Sequence, residues 1–144
     1  MKKIYFILSF WLYLVTSFAQ NNTLDLQIDD INSLDGKIMI AIFDNELDFK
    51  AKQNPVFADT IDTENLSVNA IFNGIPKGIY AIAIYHDENA DGHLNTARFG
   101  IPSEGVGFSG NLKSIRKPPK FSECSFIISS DTSILINMHY KSKP

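Results

Sequence analysis

The sequence predicts an all-β domain, an antiparallel two-sheet sandwich of about seven strands with one long ordered loop. Three observations lead there. Short stretches rich in Ile, Val, Phe and Tyr alternate apolar and polar residues with the two-residue period of a strand. Turn residues such as Asn73-Gly74-Ile75-Pro76-Lys77-Gly78 separate them. No long apolar stripe of helical period competes, so a layered α/β architecture is the poorer fit.

Residues 1–19 read as a signal peptide. Lys2 and Lys3 precede an apolar run from Ile4 to Val15, and the small residues Ser17 and Ala19 set a cleavage point before Gln20. The apolar run is shorter than the roughly 20 residues a membrane span needs, so no span is expected after cleavage. No cysteine follows closely enough to carry a lipid anchor. The expected location is extracytoplasmic, periplasmic or secreted, and residues 20–144 are expected to form one domain.

Within that domain, Leu24, Leu26 and Ile28 mark a first strand, and Gly36 to Phe43 a second that is apolar on both faces, as a central strand would be. Phe57 to Ile61 is a weaker third. Leu66 to Phe72 places Leu66, Val68, Ala70 and Phe72 on one side, and its turn feeds Ile79 to His86, the most apolar strand. Phe121 to Ile128 and Ser133 to Tyr140 complete the set. One short helix is expected at Glu46 to Gln53, bounded by Pro55.

Composition narrows the partners. Removing residues 1–19 leaves 11 basic against 16 acidic residues, a net charge of −5. A mildly acidic surface argues against nucleic acid or anionic lipid as a partner. Cys124 is the only cysteine. It has no partner for an internal disulfide and reads as a small buried apolar residue.

The stretch from Asp87 to Lys120 is too long for an idle connection in a compact domain. It carries Phe99, Ile101, Val106, Phe108, Leu112 and Ile115 among its glycines, and so should pack on one end of the sandwich. Local function is expected there. Its start, Asp87-Glu88-Asn89-Ala90-Asp91-Gly92-His93-Leu94-Asn95, reads D-x-N-x-D-G-x-x-N. Oxygen ligands at the first, third and fifth positions, with glycine at the sixth for a sharp turn, are how a loop wraps Ca²⁺. The candidate ligands are Asp87, Asn89, Asp91, the His93 carbonyl and Asn95. The twelfth position is Arg98, so this is no EF-hand, and a missing acid must come from elsewhere, with Glu104 and Glu88 nearest. An Asx-rich turn without metal is the competing reading.

The order of motifs resembles the domain-of-unknown-function 2141 family of exported bacterial proteins. The resemblance rests on F-N-G-I-P-K-G-I-Y-A-I-A-I-Y-H-D-E-N-A-D-G-H-L-N at 72–95 and F-G-I-P-S-E-G-V-G-F-S at 99–109, with G-K-I-M-I-A-I-F-D at 36–44 and the proline-phenylalanine stretch at 118–121. It implies a location and a fold but no reaction. The turn before the D-x-N-x-D-G loop is also similar to prealbumin-like modules, giving a prealbumin- or immunoglobulin-like sandwich by analogy. Members of the family often carry an acid where this chain has Asn95.

Three functions are open. The first is a monomeric binding or accessory module of the cell envelope, stabilised by Ca²⁺, with an envelope protein or glycan as partner and Phe99 and Phe108 lining a shallow site. The second is a purely structural domain without ligand. The third is a hydrolase using His86, Asp87, Glu104 and Ser109 in the 86–109 region. No catalytic residue is assigned for it, since Ser109 lacks a G-x-S-x-G setting and no histidine pair has zinc spacing. His86 shares a face with Tyr80, Ile82 and Ile84 and reads as a histidine capping the core edge. Exposed aromatic side chains would favour binding, and buried ones structure.

Overall fold

The computed structural model describes residues 21–110, 112, 115 and 117–141. The predicted signal peptide falls outside the described residues. Among the described residues, eight strands form two facing sheets. In chain order they are β1 (Asn22–Asp29), β2 (Lys37–Phe43), β3 (Phe57–Asp62), β4 (Val68–Ile75), β5 (Gly78–Asp87), β6 (Val106–Phe108), β7 (Phe126–Ile128) and β8 (Thr132–Asn137). Two short helices, α1 (Glu46–Ala51) and α2 (Phe121–Cys124), lie between them.

One sheet has the order β4-β1-β8; the other runs β3-β2-β5-β6, with β7 also pairing β5. Period-two alternation makes this arrangement. Leu24, Leu26 and Ile28 face Ile38, Ile40, Ile42, Ile82 and Ile84 across the sandwich in one core. Each fully buried aliphatic side chain contributes about 1.5–3 kcal/mol. The outer face of β2 and β5 carries a second, smaller core. There Phe43, Ala81 and Cys124 pack with Phe49 of α1, and the Phe49 ring meets Phe43 and Phe121 edge-on at 5.6 and 5.8 Å. That is why β2 is apolar on both faces. The Asn45 side chain caps α1 by accepting from the Asp48 N–H at 2.9 Å.

The two-sheet sandwich stands as predicted, with four differences. First, the β1 and β8 pairing is parallel, from Leu24 opposite Thr132 to Asp29 opposite Asn137. Only a hairpin forces neighbours to be antiparallel, and β8 arrives over the end of the sandwich from β7 in the opposite sheet. Second, the predicted strand at 121–128 is half helix. Glu123 accepts from the Lys120 backbone N–H at 2.7 Å, which caps α2 and leaves only Phe126–Ile128 as strand. Third, Leu66 is exposed, and its strand starts at Val68.

Fourth, the long loop contains β6, which lies along β5 from Ala83 to Tyr85 while β7 lies along Gly78 to Tyr80. Ser109 fills the gap between these two strands on one edge of β5. Its N–H donates to the Ile82 carbonyl at 3.0 Å, and its Oγ accepts from the Ile82 N–H at 2.7 Å. The hydroxyl then donates to the Cys124 carbonyl at 2.7 Å. One serine thus continues the ladder where no strand does.

Candidate functional site

The end of the sandwich where β5 runs out is closed by His86, which is fully buried. Its Nε2 lies 2.7 Å from the Asp35 carbonyl, which only accepts, so Nε2 carries the proton. Nδ1, 2.8 Å from the Tyr140 hydroxyl, therefore accepts from it. Burial pushes the Tyr140 phenol up to about 12, against a hydrogen bond from the Asn32 backbone that lowers it and with the Glu88 charge adding to the rise. The phenol stays protonated and keeps donating. His86 is the core-edge histidine expected from its face, with both ring nitrogens engaged.

Asp87 begins the candidate metal loop and is 2% exposed. Its carboxylate accepts from the Asp91 N–H at 3.1 Å and the Gly92 N–H at 2.8 Å, folding the loop back on its first residue. Glu104, also buried, accepts from the Glu88 N–H at 3.1 Å and the Asn95 N–H at 2.8 Å, which ties the two ends of the loop together. Glu104, one of the two acids considered from the sequence, thus has both carboxylate oxygens bonded to backbone N–H groups. A Cβ at Gly36 would collide with the Asp87 carbonyl, and its φ of +74° favours glycine, so the approach of β2 to the loop depends on it.

Asp91 is exposed at the centre of the loop. One oxygen accepts from the His93 N–H at 2.9 Å; the other accepts from the side-chain amides of Asn89 and Asn95, each at 2.9 Å. The side chains of Asn89, Asp91 and Asn95 therefore meet, with Asp87 bonded to the backbone of Asp91 and Gly92 beside them, and His93 is exposed. Among the described residues no three His, Cys, Asp or Glu side chains gather as a metal cage. A cation here would rest on carboxylates, amide oxygens and main-chain carbonyls. Rotating the Asn89 and Asn95 amides exchanges the N–H groups now aimed at Asp91 for oxygens.

Beyond the loop the chain forms a small hairpin, with Thr96 bridged to Pro102 and the Ala97 N–H donating to the Ile101 carbonyl at 2.7 Å. At its tip Phe99 takes φ +65° and is 96% exposed. Phe108 instead packs toward the outer core, its ring 6.3 Å from that of Phe49. Of the two loop aromatics, one is presented to solvent and the other serves packing.

Sequence reasoning expected Phe108 at a shallow site but missed the sheet face that floors the depression beside the loop. The helices cover the outer face of the five-stranded sheet only at the Phe43 end. Toward Met39 and Tyr85 it lies open, as a cavity of about 360 Å³ floored by Ala41 and Ala83 and walled by Tyr85, Leu94 and Phe108. Alternation put Ala41 and Ala83 on the outer face, and small outward residues in two adjoining strands were the available signal. Gly92 and His93 of the loop form part of its rim.

The hydrolytic constellation does not assemble. Ser109 sits against Ile82, four residues along β5 from His86, a separation of roughly 13 Å at the usual rise per residue. Its hydroxyl is spent on the ladder and the Cys124 carbonyl.

Comparison with known proteins agrees with the motif order. A family described as "Uncharacterized protein conserved in bacteria", domain of unknown function 2141, matches residues 26–135. Neither the curated proteins nor the solved structures contain a match. The matched span runs from within β1 into β8 and takes in both sheets, the 87–95 loop and the hairpin, so the chain belongs to the domain-of-unknown-function 2141 family.

Proposed function

We propose that this protein is an extracytoplasmic binding or accessory module of the bacterial envelope, holding an apolar ligand or partner group against the open part of its five-stranded sheet. The carrying observation is the uncovered depression over Ala41 and Ala83. Its volume lies in the range of small-ligand sites, which are concave and mostly apolar. The Phe99 hairpin stands beside it with an aromatic side chain fully in water, a feature that core packing does not explain. The signal-peptide pattern of residues 1–19 supports export. The test is fluorescence titration with Nile red, an uncharged apolar dye. The folded wild type should give a saturable blue-shifted signal that Ala58→Leu, at the cavity wall, reduces several-fold. Equal signals from both proteins would mean that the depression is not the site.

The 87–95 loop supports Ca²⁺ as a stabilising ion of the same module. Asp87 and Asp91 supply two charges, and Asn89, Asn95 and the His93 carbonyl supply neutral oxygens. For dissociation constants of about 10⁻⁴ to 10⁻³ M, 5 mM CaCl₂ would add about 1–2 kcal/mol, raising the unfolding midpoint by roughly 3–10 °C. Thermal unfolding in EDTA and in CaCl₂ measures this, with Asp91→Asn as the variant. That change removes charge from an exposed position, whereas altering Asp87 would also strip the loop backbone of its acceptors. A midpoint indifferent to calcium in the wild type leaves the loop as a metal-free Asx turn.

A further inference from the structure

We infer that the ligand is a single-chain amphiphilic carboxylate, its acyl chain on the alanine floor and its head among four lysines; this rests on the binding reading above. The open depression continues past Phe108 and Ala83 into a second cavity of about 470 Å³ beside the helices. Lys50, Lys52, Lys117 and Lys120 line it, with Glu46 the only acid there. The chain has 13 basic residues and a net charge of −3, so four cations around one cavity run against the overall balance. The sole ion pair among the described residues is Lys37 with Asp62 at 3.4 Å, and none of these four lysines has a carboxylate at salt-bridge distance. Lys52 lines both cavities and marks their junction. It ends α1 in the left-handed region, φ +54°, a strained conformation for a residue other than glycine.

Even with Glu46 on the lining and Glu123 bonded to the Lys120 backbone N–H, four cations leave this end with an excess of positive charge, which attracts an anion placed among them. Apolar surface continuous with the cationic end then selects for a tail attached to the anion. The two cavities together form a recess with a charged end and a greasy end. A recess suits one chain, where a bilayer would ask for a protruding basic face.

Isothermal titration at low salt tests this with three twelve-carbon probes below their micelle concentrations: laurate, dodecyl maltoside and dodecyltrimethylammonium. Laurate should bind at least tenfold more tightly than the other two. The Lys52→Gln, Lys120→Gln double variant, checked for folding by circular dichroism, should lose about tenfold for laurate and nothing for the maltoside. Equal affinities for laurate and maltoside, with no effect of the lysine changes, would overturn the carboxylate head while leaving an apolar site intact. Failure of all three probes to bind would overturn the binding reading as well. Laurate binding that appears only when the titration is repeated above its aggregation concentration, with no response to the lysine changes, would also overturn the inference and point to a lipid surface.

Discussion

At the scale of single residues, the polar side chains that resembled catalytic equipment turn out to stand in for missing backbone. Ser109 supplies the Ile82 N–H with its acceptor and the Cys124 carbonyl with its donor, in a setting where Ser109 is 1% exposed. Ser109→Ala leaves both buried groups unpaired, and about 1–3 kcal/mol per unsatisfied group is the usual cost. Urea denaturation should therefore show a loss of roughly 2–6 kcal/mol, by the same scale. A loss below 0.5 kcal/mol would mean that water replaces the hydroxyl. The sequence placed this serine beside two glycines without a base, which gave no hint of the gap it fills. That gap exists only because β6 and β7 share one edge of β5, a relation between residues 106 and 126 that no local pattern records. His86 was legible, because period-two alternation alone set it on the core face.

At the scale of elements, the long strands were readable and the short ones were not. β1, β2 and β5 carry enough alternating residues for their period to show. β6 and β7 are three residues each, too short for any period, and α2 is fixed by a single capping carboxylate, that of Glu123. The hairpin at 95–103 belongs to the same class. Its tip holds Phe99 at a positive φ, which costs a residue with a Cβ about 1–2 kcal/mol, and the ring packs on nothing. Phe99→Gly should thus leave the midpoint unchanged or raise stability by up to about 1 kcal/mol. Differential scanning calorimetry checks the sign. Destabilisation by more than 1 kcal/mol would show that the ring has a packing role, and would remove the argument that it is held out for a partner.

At the scale of the whole molecule, one hydrogen-bonded chain closes the end of the sandwich. Asn32 and Asp35 precede β2, His86 ends β5 and Tyr140 follows β8, so three distant segments meet in it. The folded Tyr140 phenol sits at about 12 against an ordinary value of 10.0, raised chiefly by burial. A raised value means the protonated form is favoured by folding. That contribution is complete below pH 10 and is lost as pH climbs toward 12. Wild-type stability should fall across that window more steeply than that of Tyr140→Phe, measured by urea unfolding at stepped pH. Parallel slopes would show that Tyr140 ionises alike in both states. The 87–95 loop divides in the same way. Its D-x-N-x-D-G spacing was plain in the sequence, yet the part of Glu104 in tying its ends required the chain to double back.

The parallel pairing of β1 with β8 joins residues separated by most of the domain, Leu24 with Thr132. Contacts so distant along the chain close the largest loops, and domains dominated by them fold on the millisecond to second timescale. β1 is the middle strand of its sheet, so until β8 is added that strand has a bare edge. The first of the described strands along the chain is then among the last to have both edges paired. Until that pairing forms, one edge of β1 offers free backbone donors and acceptors, the kind of surface on which aggregation begins.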